Sequence, residues 1–201
     1  MFSLGVRYGQ VENVVCHVAK VTGWKVFRHH GAEFPDVSGQ VTVSDLLGVI
    51  AEHPNPAETL FNNRGNGNPS ARRVPKILKA ELVRRFAETL AKNNVESFQS
   101  FTAHQNGPAL DSRLCALPAL SSGVGVRYFR MLAGDDQQVK PDRMILRFIE
   151  DVVSKMDVDS AANLIQKTSA ILNARYPALT PRLLDHEIWK FQRQQKKSED
   201  D

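Results

Sequence analysis

The sequence predicts an all-α protein. Three observations carry that expectation: apolar residues recur at helical spacing along most of the chain, the two-residue alternation of strands is nearly absent, and capping residues, prolines and glycines stand where the helical runs begin and end. At 201 residues, 42% of them hydrophobic, the chain can fill one substantial core, so residues 1–201 are read as a single compact multi-helix domain.

Val11, Val14, Val15 and Val18 predict a first helix from about Arg7 to Val21, stopped by Gly23. The stretch from Trp24 to Gln40 is irregular, with room for one short strand, and "SDLLGVIAEH" reads as a helix opened by Ser44 and ended at Pro54. A short helix follows from Pro56 to Asn62. "NNRGNGNPS" is the densest loop signal in the chain. Leu78, Leu82, Val83, Phe86 and Leu90 then form one apolar stripe on a helix from Pro75 to Asn93. Further helices are predicted over 95–104 and 110–116, over a segment holding Val126, Phe129 and Leu132, from Asp142 through Val152, and through Ala161, Leu164, Ile165, Thr168 and Leu172. Thr180 caps a last helix with Pro181 at its first position, docked by Leu184, Ile188 and Trp189, and residues 192–201 form a disordered polar tail.

The composition narrows the function. Cys16 and Cys115 are the only cysteines, too few for a disulfide framework or a four-cysteine iron-sulfur cluster. His17, His29, His30, His53, His104 and His186 show no metal-binding spacing, so neither a metal nor a cofactor is expected. The start "MFSLGVRYGQ" has no secretory pattern, and no run approaches the roughly 18 apolar residues of a membrane span, which predicts a soluble, cytoplasmic monomer. Charge is uneven. Arg64, Arg72, Arg73, Lys76, Lys79, Arg84, Arg85 and Lys92 against Glu81 and Glu88 make a block of +6 in a chain of +4. Such a block is either a solvated helix face or a surface for a phosphate backbone.

One stretch carries chemistry. In "LPALSSGVGVRYFRMLAG", Leu110, Leu114 and Leu117 line one helix and Val126, Phe129 and Leu132 a second, with small residues at Ala119, Ser121, Ser122, Gly123 and Gly125 between them. The free N–H groups of the second helix point toward the turn, a ready place for a phosphate. Eight residues after Gly134, Asp142 opens the next apolar run.

These residues resemble the helix-hairpin-helix DNA glycosylases, with the hairpin over about 110–134. Leu117 and Pro118 match that family's Leu-Pro, Leu120 its hydrophobic position, Gly125 its small residue, and Asp142 lies close to the spacing of its essential Asp. Ala119 and Ser121 replace the two usual glycines; the alternative hairpin "GVG" at Gly123 to Gly125 shortens the distance to Asp142. The resemblance implies a DNA-repair hydrolase that excises a damaged or modified base, with Asp142 stabilising the oxocarbenium-like sugar and activating water. Members that also cleave the backbone carry a Lys where this chain has Gly123, which implies no lyase activity; Lys140 is the one nearby substitute.

Asp is also a preferred helix cap, so Asp142 fits both a catalytic and a structural role. DNA would be held mainly through its phosphates, by Ser121, Ser122, Gly123, Gly125, Arg127, Lys140, Arg143, Arg64, Arg72, Arg73 and Lys76, while Arg127, Arg130 and Arg143 also fit as surface charges. Base-flipping enzymes need a wedge and a stacking pocket, for which Asn62, Asn63 or Arg64, and Trp24, Phe34, Phe61 or Tyr128, are the candidates. Asp185 and His186 are adjacent, but neighbours on a helix diverge by about 100°, which argues against an acid-base dyad. The competing readings are a helix-hairpin-helix DNA-binding protein without chemistry and a helical protein whose basic face meets an acidic partner.

Overall fold

A computed structural model describes residues 1–4, 6, 8–25, 35–63, 77–103 and 107–199. Among them are ten α-helices and one 3-10 turn at Val37–Gly39, the all-α class that the periodicity predicts. No described helix is long and apolar enough to cross a membrane. The chain divides into two compact units, Met1–Ser121 and Ser122–Asp201.

The first unit holds α1 (Tyr8–Thr22), α2 (Val43–Glu52), α3 (Pro56–Thr59), α4 (Lys79–Ala91), α5 (Phe98–Ala103) and α6 (Pro108–Cys115). Gly23 ends α1 as predicted, at a φ of 74° with its N–H donating to Ala19 O at 2.8 Å. The cap of α2 is Thr42 rather than Ser44. Thr42 Oγ1 accepts the Asp45 N–H at 3.0 Å and Asp45 Oδ2 accepts the Thr42 N–H at 2.8 Å, a reciprocal pair that Ser44 has no partner to form. Ser44 instead donates its hydroxyl to Glu96. The helix α3 stops three residues short of Asn62, which takes a φ of 45°.

Val14, Ile50, Ala57, Leu60, Phe61 and Ala80 form the core of this unit, with Phe2, Val18, Leu46, Val49 and Val83 against it. The stripe of α4 is buried as predicted at Leu82, Phe86 and Leu90, and the helix packs on α2, α3 and α6. Its cations differ from expectation. Lys79 is 2% exposed and donates from Nζ to Phe2 O at 3.1 Å and Leu4 O at 2.7 Å, so it pins the start of the chain instead of facing solvent. Burial lowers its pKa.

The second unit holds α7 (Val124–Leu132), α8 (Arg143–Val152), α9 (Val158–Asn173) and α10 (Pro181–Glu199), with α8, α9 and α10 packed on one another. Its core is Val139, Ile145, Ile149, Ala161, Ala162, Ile165 and Ile188, bordered by Leu146, Phe148, Met156, Leu164, Leu184 and Trp189. Val152 falls outside that core because α8 ends there, and it is 60% exposed. Asp157 caps α9, its Oδ1 accepting the Asp159 and Ser160 N–H groups at 2.9 Å each. Thr180 Oγ1 accepts the Leu183 N–H at 3.2 Å, with Pro181 first in α10 as predicted. That helix continues to Glu199, beyond residue 192 where the composition predicts a polar tail, because Gln, Lys, Arg and Glu are strong helix formers whatever their polarity.

After α6 the chain makes a β-turn in which the Leu120 N–H donates to Leu117 O at 3.1 Å and Ala119 takes a φ of 65°. Leu120 is fully buried, so the turn is anchored and Ala119 is held in the left-handed region that an L side chain disfavours by roughly 1 kcal/mol. Ala119→Gly is expected to raise stability by about 0.5–1 kcal/mol and Ala119→Val to lower it by more, read from urea midpoints with unchanged slopes.

Candidate functional site

The site begins with the four residues that join the Gln138 end of one loop to α8. Val139 and Pro141 are fully buried, so alternate positions are drawn inward, while the Lys140 and Asp142 side chains stay about a quarter exposed, at 27% and 25%. The Asp142 N–H donates to Lys140 O at 2.6 Å across Pro141, closing a three-residue turn. Asp142 then caps α8: its Oδ1 accepts the Met144 N–H at 2.8 Å and the Ile145 N–H at 3.3 Å. Its other oxygen, Oδ2, lies 3.5 Å from Lys140 Nζ.

Two more groups complete the cluster. Lys140 Nζ stands 3.9 Å from the ring centre of Tyr128 on α7, a cation over an aromatic face. Burial pushes the Tyr128 hydroxyl up, Arg182 opposes this, and the carboxylates of Asp142 and Asp185 add to it. Asp185, on α10, is 5% exposed and its Oδ2 accepts the Lys140 backbone N–H at 2.6 Å. Burial first, then the charge of Asp142, pushes its carboxyl up to about 6, against the Lys140 hydrogen bond and ammonium. Two carboxyls in such unlike surroundings, with a cation and a phenol beside them, are the kind of arrangement that collects at functional sites.

The structure thus brings together Asp142, Lys140 and Tyr128 of the predicted residues, and adds Asp185, which the sequence pattern places at the edge of a docking helix. A signal for it exists: Pro181, Asp185, Ile188 and Gln192 are all buried and follow one helical stripe, so an acid stands in an inward register. The neighbouring His186 is exposed, and its ring lies nearly parallel to that of Trp189 at 6.2 Å. His186, Trp189, Lys190, Arg193 and Gln194 line an open groove of about 310 Å³.

Ser121 and Ser122 are exposed, Gly123 is the cap residue of α7 at a φ of 72°, and Gly125 sits half-buried in the first turn of that helix. Arg127 N–H donates to Gly123 O at 3.0 Å, and its guanidinium bonds Asp159 Oδ1 at 2.5 Å. Arg143 is exposed beside Asp142. Arg130, expected at the surface, is 1% exposed: it falls one turn after Val126 on the inward face of α7.

In the first unit, Asn62 is exposed, Asn63 is half-buried with its N–H on Ala57 O at 2.7 Å, Trp24 is half-buried with its N–H on Thr22 Oγ1 at 3.2 Å, and Phe61 is core. Arg84 pairs with Glu81 and Glu88, and Arg85 with Glu81, so much of the α4 charge is neutralised within the helix. Arg64, Arg72, Arg73, Lys76 and Phe34 lie outside the described residues. Among the described residues, no three His, Cys, Asp or Glu side chains are grouped to hold a metal ion.

Residues 1–193 match the family described as Domain of unknown function (DUF8548), a match that runs through both units. The chain belongs to that family. No curated protein and no solved structure matches this DUF8548 member.

The buried acid has a consequence for stability. With Asp185 raised from 3.8 to about 6, the native state binds more protons than the unfolded chain between about pH 4 and pH 6, so stability falls as pH rises through that window. Converted, the difference is about 3 kcal/mol at pH above 6. Asp185→Asn, which keeps an acceptor for Lys140 N–H, is expected to raise the melting temperature by several degrees at pH 7.5 and to change it little at pH 4, measured by thermal melts across that range.

Proposed function

We propose that this protein is a monofunctional DNA N-glycosylase that removes a damaged or modified base, with Asp142 as its catalytic carboxylate. The observation that carries the reading is the division of labour within that carboxylate. Oδ1 is tied down by the Met144 and Ile145 N–H groups, and Oδ2 is held toward Lys140 in a side chain that keeps a quarter of its exposure. Cleavage of an N-glycosidic bond sends the bonding electron pair to the departing base and leaves positive charge on the sugar. An oriented carboxylate oxygen stabilises that charge and takes the proton of the water whose oxygen bonds to the anomeric carbon.

The resemblance to helix-hairpin-helix glycosylases is supported at one more point. Ala119 adopts a φ of 65°, the region that favours the glycine those enzymes carry there. With Gly123 in place of their lysine, and Lys140 Nζ set against Asp142 and Tyr128, the activity is hydrolysis without strand cleavage. In this reading the enzyme works inside the cell as a monomer. DNA is gripped through its phosphates by the exposed Ser121, Ser122 and Arg143, by Lys140 and the hairpin backbone, and by Arg64, Arg72, Arg73 and Lys76. Arg127 serves DNA only by exchanging its bond to Asp159.

A second reading, a DNA-binding module with no chemistry, is favoured by the same capping bonds, because they suffice to explain an Asp before α8. The two separate on Asp142→Asn, which retains a capping oxygen and loses the charge. Duplexes each carrying one damaged or modified base are incubated with the protein, treated with hot alkali and sized on a gel. The glycosylase gives alkali-dependent breaks at one class of base, lowered about 10²–10⁴-fold in the variant with DNA affinity retained. Breaks without alkali would overturn the assignment of simple hydrolysis. Salt-sensitive binding with no breaks on any duplex selects the module, and no binding at all removes both readings.

A further inference from the structure

The proposed chemistry of Asp142 makes no use of Asp185, yet a carboxyl group 5% exposed on α10 needs an explanation. Its hydrogen bond leads to the site. Asp185 Oδ2 accepts the Lys140 N–H at 2.6 Å, Lys140 O accepts the Asp142 N–H at 2.6 Å, and the buried Pro141 stands between them. One peptide-linked chain of hydrogen bonds therefore runs from α10 through Lys140 to the residue that caps α8. The direction of the Lys140 backbone decides where its side chain reaches, and it reaches Asp142 Oδ2 and the Tyr128 ring.

We infer that Asp185 is a positioning residue of the Asp142 site, acting through Lys140: its carboxylate fixes the Lys140–Pro141–Asp142 turn and, with it, the pairing of Lys140 Nζ with Asp142 Oδ2. The inference rests on the proposed use of Asp142. It also makes the site sensitive to pH. The charged and titratable groups around Asp185 are Asp142 and Lys140 from the loop and Tyr128 from α7, on whose hydroxyl Arg182 of α10 also acts, while α8 and α9 contribute Ile145, Ile149, Ala161 and Ile165 to the core that contains Ile188. Burial and the charge of Asp142 place its titration near pH 6. Above that pH a charged acceptor grips the Lys140 N–H; below it the acceptor is neutral and the grip weakens.

The test follows the Lys140 amide proton by NMR on the ¹⁵N-labelled full chain from pH 4.5 to 8. In the wild type it is expected to titrate with a midpoint of about 6. The titration disappears in Asp185→Asn, and in Asp142→Asn its midpoint moves down because the neighbouring negative charge is gone. A flat amide shift in the wild type, or a titration that survives Asp185→Asn, overturns the inference. On a duplex cleaved in the alkali assay, Asp185→Asn is expected to lower kcat about 10–100-fold with KM little changed and to abolish the fall in rate near pH 6. An unchanged pH profile overturns the positioning role. Because the amide titration uses no DNA, a protein without glycosylase activity removes the Asp142 reading and still leaves the coupling between Asp185 and Lys140 decided.

Discussion

The second unit is organised around the 2.6 Å hydrogen bond from the Lys140 N–H to Asp185. A carboxyl group at 5% exposure is costly to bury, and a main-chain N–H left without a partner beside it would be costly as well, so each offsets the other. Val139 on one side and Pro141 on the other are fully buried, which leaves the Lys140 peptide little freedom to turn elsewhere. Since Asp142 follows at once and caps α8, the bond ties the entry of α8 to the first turns of α10. Those two helices also share the Ile145, Ile149 and Ile188 core. Apolar packing supplies the adhesion, and the polar bond selects one register for the loop.

The charge of the chain is redistributed by partners that a count of basic residues does not reveal. Lys79 is turned inward to two carbonyls, Arg84 and Arg85 are engaged by Glu81 and Glu88, Arg127 by Asp159 and Arg182 by Asp136, while Arg130 is buried. Exposed pairs of this kind contribute little to stability, about 0–1 kcal/mol each, but they reduce the field that a polyanion would meet. On the described surface the proposed DNA contacts therefore rest on particular exposed cations such as Arg143, next to the proposed catalytic acid, more than on Lys79, Arg84 and Arg85 of α4.

What was legible in the sequence was local. Gly23 at the end of α1, Asp142 before α8, Thr180 and Pro181 at the start of α10, and the stripe of α4 all follow from bonds or packing within a few residues, and each stands where the pattern places it. Ser44 misled because either hydroxyl could open α2; the reciprocal bond with Asp45 selects Thr42. Lys79 and Arg130 were not legible as buried groups, and for Asp185 the register it shares with Ile188 marks an inward position but not the partner it meets there. The partner of Asp185 is a backbone N–H 45 residues away, and those of Lys79 are the carbonyls of Phe2 and Leu4. Every residue but proline offers the same N–H, and all offer the same carbonyl, so no side-chain pattern marks which one a distant ion will use.

Two positions depart from what stability alone would favour, and both bear on the segment from Leu117 to Asp142. Ala119 occupies a left-handed conformation where glycine would be relaxed, and Asp185 places an ionisable group in a core where a neutral acceptor would serve the same hydrogen bond. Strain that persists in a folded chain is held there by its surroundings, here by the buried Leu120 and by the packing of α10. Structural roles alone would be met by Ala119→Gly and by Asp185→Asn, since the first preserves the turn and the second the acceptor. That the chain retains the less stable choice at the Leu117–Leu120 turn, and again behind the loop that carries Asp142, directs the search for chemistry to this segment rather than to the cations of α4.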